Sequence, residues 1–192
     1  MNINPYGIKW CYFDKYYKYC DQYAFKGACY AFVFSETMPK DYEYPHEFEE
    51  CVYIGQSSGY YKDKQAGHKG KMRSLIHKRM TSHHKPLMHN EGCQTHHKMI
   101  VQKYGYGRDV LMGTITNKPL WLGLIIPPPS INDNHIRAWT MYQEGKEILD
   151  YTMTWDKTPL GNMDRDTNKD PNSYSSIEMA NMVTLEEFIE AA

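Results

Sequence analysis

The sequence predicts a single α/β (α+β) domain: a small, mostly antiparallel three-stranded sheet flanked by helices. Three observations carry that expectation. Residues 27–34 and 51–55 are short runs of aromatic and β-branched residues bounded by glycine or by polar loops. Residues 120–126 form the most apolar run of the chain and end at Pro127-Pro128-Pro129, as a well-covered strand would. Between and after these runs, apolar residues recur at three- and four-residue spacing, the period of helices packed on a sheet. A length of 192 residues with 41% apolar and 14% aromatic content suits one compact domain.

Residues 1–24 are rich in aromatics without a clean period and read as an N-terminal extension, a helix or arm laid over the domain. Gly27 precedes the first strand. Residues 35–50 carry two prolines and six acidic residues, so they read as an exposed and unusually long connection between antiparallel neighbours. The second strand begins at Cys51, stops at Gly55 and opens into a loop at Gln56 and Ser57. A strand ending on glycine leaves bare backbone where a ligand can approach.

A first long helix is expected over 71–84, stopped near Pro86. Its apolar stripe is Met72, Leu75, Ile76 and Met80, continued by Arg79 and His83, with Arg73, His77 and His84 off the stripe. A guanidinium aimed along a buried face needs a carboxylate or phosphate partner, because an unpaired buried charge is costly. A second helix is expected over 95–104, a short strand over 110–115, and a third helix over 133–151. The inward row of that third helix reads Met141, Glu144, Ile148, Tyr151 and Trp155, which sets Glu144 in an apolar stripe and leaves Glu147 at its edge. Residues 163–192 form a polar tail, with a short helix over 184–189 introduced by the capping pair Thr184 and Glu187.

The formal net charge of −1 conceals an asymmetry. Residues 60–109 contain eleven lysines and arginines against Asp63, Glu91 and Asp109, a net of +8, together with seven of the nine histidines. A positive block in a near-neutral chain is what a polyanion-binding face requires; a solvated helical surface is the plainer alternative. No apolar run approaches eighteen residues, and the polar N-terminus lacks the apolar core of a signal peptide. Five scattered cysteines then point to free thiols and a cytoplasmic, intracellular protein. Cys93, His96 and His97, with His89 nearby, raise structural zinc, but without a second ligand pair they read better as surface or nucleic-acid-facing residues.

Taken in order, Tyr30, the run Val52-Tyr53-Ile54-Gly55-Gln56-Ser57, Arg79 with His83 four residues on, Glu144 and Pro159-Leu160-Gly161-Asn162 resemble the GIY-YIG nuclease family. The resemblance covers about residues 27–162 and sets the nuclease-like domain at 25–162. Only the tyrosine of the family's first motif is kept, since Ala28-Cys29-Tyr30 stands where Gly-Ile-Tyr would. The resemblance implies a metal-dependent DNA endonuclease leaving 5′-phosphate and 3′-hydroxyl ends. Glu144 would hold one Mg²⁺, with Mn²⁺ as a substitute, and Arg79 would neutralise the scissile phosphate. Tyr30 or Tyr53 would receive the water's proton, made more acidic by nearby cations, with His83 sharing the relay. Gly55, Gln56, Ser57 and Lys78 would meet substrate, and Asn162 would buttress the site. Double-stranded DNA is the expected partner, with no membrane and with homo-oligomerisation open. A catalytically silent nucleic-acid-binding module on the same scaffold is the alternative, and an interaction protein using its tyrosine-rich arm a remoter one.

Overall fold

The computed structural model describes residues 7–20, 27–57, 75–131 and 135–165. The expected helix start at 71–74, the N-cap candidates at 132–134, the tail helix over 184–189 and much of the basic block lie outside these residues. The sheet has four strands rather than three: β1 (Ile8–Tyr12), β2 (Ala28–Phe34), β3 (Cys51–Ser57) and β4 (Leu120–Ile125), in the order β1-β4-β2-β3 with every pair antiparallel. The additional strand comes from the N-terminal segment. Crowded tyrosines hid its alternation, and it is held by pairing with β4, a contact over a hundred residues distant in sequence.

Strand β2 is buried along its whole length because both faces of the sheet are covered. On one face Tyr30, Phe32 and Phe34 join Tyr53 in a core. That core is closed by α1 (Tyr16–Cys20), α2 (Leu75–His89), α3 (Thr95–Tyr104) and α4 (Arg108–Met112). On the other, Cys29, Ala31, Val33 and Ile54 meet Trp139 and Tyr151 of α5 (Ile136–Trp155).

Several expectations are corrected. Residues 110–115 do not form a strand: α4 is a helix opened by Gly107 at φ 62° and ended by Gly113 in the left-handed region. A short apolar run does not distinguish the two states by itself. Helix α2 runs through Pro86 to His89, since burial of Leu87 outweighs the amide hydrogen bond that proline cannot make. His77 is buried against the Tyr16 ring, and His84 meets Asp14. The N-terminal segment therefore covers a side of α2 that looked solvent-facing. On α5, Met141 is 49% exposed while Glu147 is fully buried. The inward face is thus rotated from the expected row, to Trp139, Thr140, Gln143, Glu144, Glu147 and Tyr151. Gln56 and Ser57 continue β3 instead of opening a loop.

All five cysteines are free. Among the described residues no helix is long and apolar enough to cross a membrane. Strand β3 is an edge strand, and its exposed backbone is managed locally. Asn162, on the 3-10 turn Leu160–Arg165, accepts from the Ile54 N–H at 2.9 Å and donates to the Ile54 carbonyl at 2.7 Å, mimicking a neighbouring strand. Asn162→Ala removes both bonds in a buried setting and is expected to cost about 1–3 kcal/mol, read by urea denaturation.

Candidate functional site

Register places the site. Tyr30 on β2 lies directly across from Gly55 on β3, and Phe32 across from Tyr53. The Tyr30 ring leans over Gly55 so closely that a Cβ there would come within 2.7 Å of the Tyr30 hydroxyl and 2.8 Å of the Tyr53 ring. The glycine that ends the tyrosine-containing motif is therefore the floor on which the tyrosines lie. No larger residue fits without displacing them.

Helix α2 delivers the polar groups. Arg79 and His83 are four residues apart, so both project from one face toward the sheet. Arg79 Nε donates to the Tyr30 oxygen at 2.9 Å, and His83 Nε2 lies 2.6 Å from the same oxygen. His83 Nδ1 is in turn 2.8 Å from His97 Nε2 on α3. His97 is the third residue of that helix, and its Nδ1 accepts the backbone N–H of Gln94 at 3.2 Å. Such a reciprocal contact across the first turn is a form of capping box.

These contacts assign the tautomers. His97 Nδ1 is an acceptor, so neutral His97 carries its proton on Nε2 and donates it to His83 Nδ1. His83 then carries its own proton on Nε2 and donates it to Tyr30. The Tyr30 oxygen thus receives two N–H donors, which leaves its own O–H for a further acceptor. In this state His83 supports Tyr30 as a donor instead of taking its proton.

Electrostatics qualify the sequence expectation. Tyr30 is fully buried, and its pKa lies well above the ordinary phenol value. Burial is the main cause; Tyr53 adds to it, Arg79 opposes it, and the Glu144 carboxylate raises it further. Desolvation outweighs the nearby guanidinium, so the phenol is less acidic than expected. Burial, with His96 and Arg79 adding to it, pushes His97 down to about 3, which keeps it neutral as the tautomer assignment requires. The buried Tyr53 hydroxyl lies in the field of Arg79 without a well-formed hydrogen bond, and the Tyr53 ring stacks on His96 at 4.9 Å.

The expected residues divide. Tyr30, Tyr53, Gly55, Arg79 and His83 converge on one face of the sheet, and Asn162 holds the strand beside them. Glu144 is carried by α5, which packs on the opposite face, and it acts on Tyr30 through its field. Gln56 points toward α5, its side-chain oxygen 3.4 Å from the Thr140 hydroxyl. Ser57 is buried at the end of the strand, and Lys78 is exposed on α2. His97, which from sequence reads as a surface or nucleic-acid-facing residue, is buried. Its signal was its place three residues after the N-cap of an expected helix.

Comparisons with family models, with curated proteins and with solved structures yield no match. The chemistry therefore rests on the residues themselves. A buried neutral histidine also leaves a thermodynamic signature. Unfolded, His97 protonates near an ordinary value of about 6.5; folded, it waits until about 3. Between these values the unfolded state binds the extra proton, so its stabilising contribution is complete above pH 6.5 and lost as pH falls toward 3. Urea denaturation across pH 4.5–7.5 is expected to show a steeper acid loss for wild type than for His97→Gln.

Proposed function

We propose that this chain is a metal-dependent DNA endonuclease of the GIY-YIG type, hydrolysing phosphodiester bonds. The observation that supports it most is the convergence of Arg79 and His83 on the Tyr30 oxygen above Gly55. A lone core tyrosine needs neither a guanidinium nor a tautomer-locked imidazole at its hydroxyl.

In this reading Arg79 uses Nε to hold Tyr30 and presents the planar end of its guanidinium to the scissile phosphate. Tyr30 takes the proton of the attacking water. To do so it must first give up its own O–H proton to solvent: its two N–H donors stabilise the phenolate so formed, whereas burial resists that charge. Tyr53 lies beside Tyr30, and Lys78, exposed on α2, contributes a contact to the DNA backbone; Gln56, turned toward α5, and buried Ser57 do not. Glu144 is a single, nearly buried carboxylate and belongs to no cluster of three ligating side chains among the described residues. That suits Mg²⁺, which keeps most of its waters and takes one carboxylate plus substrate oxygens, and Mn²⁺ would serve in its place. The ion, when bound, supplies Lewis-acid charge neutralisation at the phosphate.

The second reading is a nucleic-acid-binding module that does not cut. Two observations favour it: the raised pKa of Tyr30, and the location of Glu144 on the helix covering the other face.

Plasmid nicking with Mg²⁺ against EDTA separates the readings. Arg79→Ala is expected to lower the rate by about 10²–10³-fold, as loss of a preorganised charge does. Glu144→Ala is expected to abolish cleavage while leaving DNA binding measurable by gel shift. Equal cleavage by wild type and both variants would remove the mechanism, and binding without cleavage by wild type would favour the silent module. Because Tyr30 must lose its proton and its pKa is raised, the cleavage rate is expected to climb continuously from pH 7 to pH 9. Tyr30→Phe should remove that climb together with the activity.

A further inference from the structure

The connection between β2 and β3 meets α5 at a second cluster of ligating side chains, on the sheet face opposite Tyr30. His46 sits on the short 3-10 turn Pro45–Glu47, and Glu147 and Asp150 lie one turn apart on α5. One ligand atom from each lies within 4.8 Å of the others. Glu147 is fully buried. Its Oε1 accepts from Gln143 Nε2 at 2.7 Å, but its Oε2 is buried without a hydrogen-bond partner. The same holds for His46 Nδ1, which faces that oxygen at 3.5 Å.

That separation is informative. A charge-assisted N–H···O bond closes to about 2.7–2.9 Å, and this pair stays wider, at 3.5 Å. Two ligands on a tetrahedral ion with bonds of about 2.0–2.1 Å lie about 3.4 Å from each other. The pair is spaced for sharing an ion.

We propose that His46 Nδ1, Glu147 Oε2 and a carboxylate oxygen of Asp150 form a Zn²⁺ site. An imidazole nitrogen with two carboxylates selects a zinc-like cation over Mg²⁺ or Ca²⁺, which favour all-oxygen shells. The surrounding contacts orient the ligands as metal sites require. Gln143 fixes the Glu147 carboxylate, the Tyr44 ring stacks on His46, and Trp155 Nε1 donates to the His46 carbonyl at 2.8 Å. Asp150 receives Lys146 Nζ at 2.6 Å through Oδ2 and has a second oxygen to offer. The His46 side chain is 30% exposed, which provides an entry path, and a water completes the tetrahedron. The ion would clamp the long 35–50 connection to α5. This proposal does not depend on the endonuclease reading.

The three-histidine cluster of His83, His96 and His97 is the competing ligand set. His97 Nδ1 already accepts a backbone N–H, so ligation through Nε2 would set a ring N–H against the Gln94 amide.

The test uses the full-length chain freed of metal by a chelator, without DNA or Mg²⁺. Zn²⁺ is titrated against a chromophoric chelator, and Co²⁺ serves as a spectroscopic probe of tetrahedral geometry. Wild type is expected to take up one equivalent, to show tetrahedral Co²⁺ absorption and to melt at a higher temperature with Zn²⁺. His46→Ala and Asp150→Asn, each checked for native circular dichroism, are expected to weaken uptake by at least about tenfold. Both should also lose the thermal shift, while His83→Ala retains it. No uptake by wild type, or uptake unchanged in His46→Ala and Asp150→Asn, would overturn the site and leave His46 and Glu147 as an ion pair.

Discussion

The oxygen of Tyr30 is the point on which the described structure turns. Its position follows from the β2–β3 register, which sets Tyr30 across from a residue without a side chain. A shift of one residue would send every tyrosine of the pair to the other face. With that register in place, a helix carrying arginine and histidine four residues apart meets the oxygen from above with two N–H groups. The first turn of α3 then determines, through the Gln94 amide, which nitrogen of His97 bears hydrogen and so which nitrogen of His83 does. A backbone amide is thereby connected to a phenol through two imidazoles.

Charge and burial oppose one another at this oxygen. Arg79 favours a phenolate, whereas the surrounding core, Tyr53 and the Glu144 carboxylate favour the neutral phenol. Of these, burial dominates. In the endonuclease proposed above, these donors would be ready for charge that is absent at rest. The edge strand contributes by staying narrow: Asn162 covers its backbone at Ile54 with a single amide, so no further strand pairs at that position.

The two buried glutamates of helix α5 have different surroundings. Glu144 is felt at Tyr30 and Cys29, and Glu147 at Cys29 and Cys51. Burying a carboxylate without full hydrogen bonding is costly, so a helix that does so at Glu147 has a partner to account for. The 44–50 segment is fastened to the end of the same helix by the Tyr151 hydroxyl, the Trp155 indole and Lys157. The long connection that looked like an exposed loop is therefore part of the packing.

What was legible in the chain depended on short-range pattern. The β2, β3 and β4 runs, the helices near 75, 95 and 136, and the shared face of Arg79 and His83 follow from local spacing and glycine placement, whereas the grouping of Tyr30, Tyr53 and Gly55 with them was an expectation from the family resemblance alone. Residues one turn or one pleat apart share a face whatever lies elsewhere. Tertiary contacts decided the rest. Strand β1 exists because β4 offers it an edge, His77 is buried because the N-terminal segment lies on it, and the inward face of α5 is set by the sheet beneath it. The burial of His97 and Glu147 also belongs to that second group. A polar residue's period says where it points, whereas its partner comes from a distant part of the chain, and only packing brings the two together.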